Sequence, residues 1–440
     1  MLKYKYMKNK HRFFVLVVVL CLVCMVLFVG WMVKLGMDGS ERVVNEGDLP
    51  KLELYLNDVT LDEFKNGEKE TKYTGNVLRV DDNGRIFAFD NVEIKGRGNS
   101  TWTQVKKPFQ IKFGQKEDLL GLGRAKTWIL LANIFDDSHV RNDVAYKIAE
   151  MLQMPFTRRG KFVELSVDGE WQGLYYLTHK VEISKNSVDI RDDYGVLFEL
   201  DNLWAGEEGY ETSGGDRLVL KDAVFEGDSA MLAEAVGDFL QDYEALEKAV
   251  AEGDFERASE LIDMESFAKY YLIGEFSVDP DAYASSFYMY KNGLEDKIYA
   301  GPVWDYDFAF GNKKWYPEAE EGVYSPFRTM VRKDITMSGA EEGYSKLMYY
   351  LMDMPGFREI VARVFSEQMS GRKNELLYYI YKMASKIHYV AIADGVHWGE
   401  ENFNKEVTYL LEWVADRFDY FERIYGRKDG GVIWQGVWEF

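Results

Sequence analysis

The sequence predicts an α+β fold: a β-rich N-terminal half and a helix-rich C-terminal half, preceded by one transmembrane helix. Three observations carry this expectation. Apolar and polar residues alternate in short runs between residue 50 and about residue 225. From about residue 228 onward apolar residues recur at helical spacing, with one strand-like interruption. Near the start, Phe13 to Val33 is an uncharged apolar run of 21 residues.

Taken in order, the chain opens on a basic tail. Lys3, Lys5, Lys8, Lys10 and Arg12 precede the apolar run with no acid among them, which fixes that end in the cytoplasm. At about 1.5 Å per residue the run spans a hydrocarbon core of about 30 Å. Its exit, Val29-Gly30-Trp31-Met32-Val33-Lys34, lacks a small-residue cleavage pattern, so a retained anchor with the C-terminal domain outside the membrane is expected. The expected organisation is a cytoplasmic tail at 1–12, the anchor at 13–33, a Gly- and Ser-bearing linker at 34–49, one large domain at 50–428 and a tail at 429–440.

Within the large domain, Leu52 to Leu56, Arg85 to Phe89 and Phe109 to Phe113 alternate as half-buried strands do. Lys161 to Val167 and Trp171 to Leu177 flank Asp168-Gly169, the pairing expected of a tight hairpin. One helix interrupts the strands. Val140, Val144, Ile148 and Leu152 share a face at i+4 steps, with Asp137 or Ser138 placed to cap it. Later, an apolar helix over Phe267 to Ile273 precedes two strands, Phe287 to Tyr290 and Ile298 to Trp304, joined through Asn292-Gly293. Phe403, Val407, Leu410, Val414, Phe418 and Phe421 then form a helical stripe, a core pattern rather than a cofactor box.

Composition narrows the functions available. A hydrophobic content of 47% with 15% aromatic residues excludes general disorder. The net charge is -21, and without the basic tail the remainder carries about -26. Such a surface repels nucleic acid and suits either plain solubility or a basic partner. The two cysteines, Cys21 and Cys24, both lie in the apolar run, so the external domain has no disulfide framework. A disulfide-free external domain of this size fits the outer face of a Gram-positive cell. The five histidines show no zinc spacing, and neither a Walker loop nor a nucleophile elbow is present.

Four polar segments interrupt this apolar pattern. Lys95 to Trp102 is a glycine-bearing turn containing Arg97, Asn99 and Ser100, followed by Lys107 and by Lys112 on the next strand. A glycine turn ahead of a lysine-bearing strand is one way to cover and neutralise a nucleotide phosphate; an ordinary hairpin is the other reading. Asn133 to Asn142 opens a helix and puts Arg141 in its first turn, where an arginine can serve a phosphate or pair with a carboxylate. Glu275 to Tyr283 holds Asp279 and Asp281 in a loop between core elements, suited to base or metal work or to turn initiation at Asp279-Pro280. Trp304 to Gly311 holds Asp305 and Asp307 amid aromatics, where charge is costly without a compensating cation.

Together these segments resemble the CotH kinase family. The matching stretches are IKGRGNSTW…KKPFQIKF, WILLANIFDDSHVRNDVAYKIAEML, FVELSVDGEWQGLYYLTHKVEI and GPVWDYDFAFGN, spread over roughly residues 50 to 315. The resemblance implies an atypical protein-kinase-like fold that transfers the ATP γ-phosphate to serine or threonine of cell-envelope or spore-coat proteins, with ATP and Mg2+ as cofactors. It implies that Arg97, Asn99 and Ser100 cover the nucleotide and that Lys107 or Lys112 contacts phosphate; Arg141, from its place in the helix, is a further candidate for nucleotide binding. Asp281 would be the catalytic base, and Asp305, with Asp307 near it, the magnesium ligand. The implied partner is a basic or serine-rich coat or envelope protein. One position departs from the family. Where members often carry asparagine as a second metal ligand, this chain has Ser285 and Ser286. A non-catalytic kinase-like binding module, or a structural or adhesive envelope protein, is the alternative that this departure favours.

Overall fold

Alternation in the first half closes into a ring. The computed structural model describes residues 49–204, 206–225, 229–314, 325–327 and 344–426. The expected anchor at 13–33, both cysteines and the tail at 429–440 lie outside the described residues. Among the described residues no helix is long and apolar enough to cross a membrane. Strands β1 (Lys51–Tyr55), β2 (Tyr73–Asp82), β3 (Arg85–Gly96), β4 (Phe109–Asp118), β5 (Arg124–Leu131), β6 (Gly160–Val167) and β7 (Glu170–His179) form a closed barrel in the order β1-β2-β3-β4-β5-β7-β6. Neighbours run antiparallel except β1 and β6, whose parallel pairing closes the barrel.

The inward residues of the alternating runs fill the barrel: Leu52, Leu54, Leu78, Val80, Ile94, Phe109, Ile111, Trp128 and Leu165 are all buried. A short helix, α1 (Leu61–Asn66), is fixed by a reciprocal Thr60–Glu63 cap and packs Phe64 flat against Phe109 at 5.1 Å. The expected hairpin is present. Asp168 and Gly169 both take positive φ, 50° and 83°, as a two-residue turn between twisted strands requires.

The expected helix is α2 (Arg141–Met151), and Val140, Val144, Ile148 and Leu152 are all fully buried. Its cap differs from the expectation. Val140 occupies the cap position without a side-chain bond, and Asp136 does the work from further back, accepting from the Arg141 and Ser138 amides at 2.8 and 2.9 Å. Ser138 instead donates its hydroxyl to Asp136 at 2.6 Å, and Asp137 pairs with Lys314.

The second half packs helices with a five-stranded sheet, ordered β12-β11-β8-β10-β9. These strands are β8 (Val196–Leu200), β9 (Tyr210–Glu211), β10 (Arg217–Ala223), β11 (Phe287–Lys291) and β12 (Tyr299–Ala300). Every residue of β8 and β11 is buried. The helices are α3 (Ser229–Glu252), α4 (Phe255–Leu261), α5 (Met264–Ser277), α6 (Leu347–Asp353), α7 (Pro355–Gln368), α8 (Lys373–Trp398) and α9 (Phe403–Tyr425). Helix α5 is buried on nearly every side, as expected of a helix apolar all round. The expected stripe lies on α9, where Phe403, Leu410, Val414, Phe418 and Phe421 are buried and Val407 packs at the margin. One strand is shorter than expected. β12 stops at Ala300 rather than reaching Trp304, because Pro302 has no amide to continue the ladder, so Asp305 stands in a loop and not at a strand end.

Candidate active site

Three loops meet at one edge of the second sheet. β8 ends at Leu200, paired with Phe287, the first residue of β11. Asp201 leaves β8 there, and the α5–β11 loop carrying Asp279 and Asp281 arrives there. The two are tied by Ser285 Oγ donating to Asp201 at 2.9 Å and by the Asn202 amide donating to the Ala284 carbonyl at 2.8 Å. The chain after β12 runs back along β11, with the Gly301 amide on the Tyr288 carbonyl, and delivers Asp305 and Asp307.

Helix α2 holds the last of these loops from the barrel side. Asn142 accepts the Tyr306 amide at 2.7 Å, and Arg141 Nε donates to the Ala309 carbonyl at 3.0 Å. Asn312 closes the loop by donating to the Asp307 carbonyl at 2.7 Å. The backbone at this edge is unusual. Val278, Ser286, Asp305 and Phe310 take φ of 50°, 55°, 69° and 55°. Left-handed residues without glycine cost about 1–3 kcal/mol each, and such strain collects at functional sites. Local bonds hold it: the Val278 amide donates to Gly274 and the Phe310 amide to Ser277.

Burial first, and mutual repulsion second, raise the proton affinity of these carboxyl groups. Burial raises Asp279 and Asp307 well above the usual range, and neighbouring carboxylates add to both shifts. Asp281 is pushed up to about 7, first by burial and then by the charges of Asp305 and Asp201. Asp305 is raised by desolvation although its side chain is solvent-exposed, and the Arg97 charge pulls it back down. Five carboxyl groups thus share one region, and Arg97 is the cation that acts on Asp305.

This donor set fits a hard cation chemically, since oxygen ligands and excess negative charge are what such an ion needs. Among the described residues no group of three or more His, Cys, Asp or Glu side chains is arranged to hold a metal by itself. A magnesium ion would draw on one or two of these carboxylates and complete its shell with phosphate oxygens and water, its usual habit.

The structure brings Arg97, Asp281, Asp305 and Asp307 into this region and sends other sequence candidates elsewhere. Arg141 is fully buried and committed to Asp136, Glu406 at 3.1 Å and the Ala309 carbonyl, so it braces the Asp305 loop and has the carboxylate-pairing role, not the phosphate one. Lys107 donates to the Trp102 carbonyl at 2.5 Å and lies over the Trp102 ring, which makes it a local brace. Lys112 is exposed on the outward face of β4, between the inward Ile111 and Phe113. Asn99 accepts from Lys69 at 2.9 Å, and Ser100 starts a single 3-10 turn. The glycines of that turn serve its own packing. Gly98 has φ +75°, and a Cβ on Gly96 would sit 2.5 Å from the Trp102 ring.

Sequence reasoning missed Asp201, which follows an apolar strand with no motif around it. Glu199, on the strand that Asp201 leaves, pairs with Lys221 at 2.9 Å, and the Lys221 charge reaches Asp201.

The family model described as CotH kinase protein matches residues 94–421, a span that holds the whole carboxylate region and most of the chain. No curated protein matches the chain at a significant level.

Proposed function

Because the chain belongs to the CotH kinase family and gathers Asp281, Asp305 and Asp307 at one sheet edge beside Arg97, we propose that it transfers the γ-phosphate of ATP to serine or threonine hydroxyls of cell-envelope or spore-coat proteins. The observation that carries this reading is the electrostatic grading of the cluster. Asp281, near 7, can take a proton at neutral pH, whereas Asp305, exposed and beside a guanidinium, is placed to meet a cation. Bound magnesium would supply charge neutralisation for the phosphates, and Asp305 with Asp307 would hold it. The residues then divide the work. Asp281 orients the acceptor hydroxyl and accepts its proton as the oxygen–phosphorus bond forms and the bond to the ADP oxygen breaks. Arg97 offsets the negative charge beside it. Asn142 and Arg141 fix the loop that carries Asp305.

The test is incubation of the protein with labelled ATP and magnesium, scoring phosphate on itself and on casein-like acceptors. Incorporation that Asp281→Asn removes supports the reading; no transfer to any acceptor overturns it and leaves a kinase-like binding module. The basic start and the apolar run at 13–33 further support a single-pass anchor with the catalytic domain outside the cell. Protease shaving of intact cells should then digest the domain, and a domain left uncut argues against that placement.

A further inference from the structure

Trp304 stands immediately before Asp305, and three polar side chains from three separate elements gather on its indole. The Arg97 guanidinium, from the end of β3, lies 5.0 Å from the ring centroid; the Arg158 guanidinium, from the loop before β6, lies 5.3 Å away. The Tyr146 ring, from α2, stacks at 6.5 Å with an interplanar angle of 26°. Each of the three ends in a buried polar atom with no hydrogen-bond partner among the described residues: Arg97 Nη1, Arg158 Nε and Tyr146 Oη. Arg158 is 4% exposed and Tyr146 2%. Buried polar atoms left unpaired number only a few per hundred residues in native proteins, so three around one indole require a common cause.

The rest of Arg158 is tied down. Nη1 donates to Ser187 Oγ at 2.7 Å and Nη2 to the His179 carbonyl, which leaves Nε as the guanidinium nitrogen without a partner among the described residues. Water would satisfy these donors but not the charge. Two guanidinium groups face one indole, and Asp305 is the carboxylate whose shift registers the Arg97 charge. An anion with several oxygens satisfies donors and charge together.

We infer that Arg97 Nη1, Arg158 Nε and Tyr146 Oη form a phosphate site around Trp304, and that it takes the phosphate chain of the nucleotide. The inference rests on the proposed phosphotransfer and adds Arg158 and Tyr146 to its machinery. The nucleotide is favoured over a phosphorylated protein side chain because the site adjoins Asp305, which with Asp307 would hold the magnesium that a nucleotide carries.

The test is calorimetry on the full-length protein with pyrophosphate, ADP, adenosine and a phosphoserine peptide. Wild type should bind pyrophosphate and ADP. Arg158→Met should weaken both by about 10- to 100-fold, the scale of one charge-assisted hydrogen bond, and leave adenosine unchanged. Tyr146→Phe removes only an unpaired hydroxyl and should fold normally, so it guards against a folding defect in Arg158→Met. It should weaken pyrophosphate about 2- to 10-fold without lowering the melting temperature. Wild-type affinity for pyrophosphate in Tyr146→Phe and in a folded Arg158→Met would overturn the site, whether or not the protein transfers phosphate. Binding of the phosphoserine peptide alone would overturn the assignment to nucleotide. Pyrophosphate binding lost in both variants, in a protein that never transfers phosphate, would keep the site and sink the kinase reading.

Discussion

Two aspartates two residues apart have different work at the α5–β11 loop. Asp279 is buried, with its Oδ1 accepting the Asp281 amide at 3.4 Å, and burial raises its carboxyl well above the usual range. Asn is nearly isosteric and keeps an oxygen to accept that amide, so Asp279→Asn should cost little turnover. Asp281→Asn removes the proposed base. Turnover should fall about 10²- to 10⁴-fold with nucleotide binding nearly intact, and Asp305→Asn should lose both; steady-state kinetics with calorimetry separates the cases. The reverse ranking of Asp279 and Asp281 would show the base misplaced by two residues. Ser286 offers a gain-of-function test. Its φ of 55° is a conformation that asparagine tolerates better than serine, and Ser285 is already engaged by Asp201. Ser286→Asn should therefore fold and tighten magnesium–nucleotide binding; unchanged affinity would exclude position 286 from the metal shell.

Helix α2 is the element that transmits barrel geometry to the site. Its first turn grips the Tyr306 amide through Asn142 and the Ala309 carbonyl through Arg141, and Asp136 both caps the helix and neutralises Arg141. Removing one partner of a buried ion pair strands the other charge. Arg141→Met should therefore destabilise the protein by about 3–5 kcal/mol, seen as a lower denaturant midpoint. It should also lower turnover, because the Asp305 loop loses an anchor. A midpoint within experimental error of wild type would mean that Asp136 and Glu406 find compensation elsewhere. A second buried pair, Lys106 with Asp394 at 2.7 Å, joins the strand-to-strand segment before β4 to α8 and gives the barrel a further fixed contact with the helical half.

Across the whole molecule the clustered carboxylates make stability depend on pH. Asp281 has an ordinary value of 3.8 and about 7 in the fold. A raised acid favours the folded state most at low pH: the contribution is complete below the unfolded value and is lost as pH rises through the folded one. Asp279, Asp305 and Asp307 are shifted in the same direction. Without divalent cation, the melting temperature should therefore fall as pH is raised from 5 to 8. Magnesium should restore several degrees at pH 8 and much less at pH 6, where protons already fill the cluster. Scanning fluorimetry checks this, and a magnesium effect equal at both pH values would separate the cation from these groups.

The division between barrel strands and later helices was legible in the sequence because it rests on local periodicity. Leu52 to Leu56, the Asp168-Gly169 turn and the α9 stripe each announce themselves within a few residues. Asp305 and Asp307 stand out in the sequence as charge amid aromatics, and Asp279 and Asp281 as carboxylates in a loop between core elements. Tertiary structure decided which candidates meet. Arg141 reads equally as a phosphate or a carboxylate ligand until Asp136 and Glu406 close on it, and Lys107 until Trp102 does. Arg158 and Tyr146 carry no local signal at all, since their meaning comes from a tryptophan more than a hundred residues away. Periodicity is a property of neighbours along the chain, whereas a binding site is a property of neighbours in space, and only folding converts one into the other.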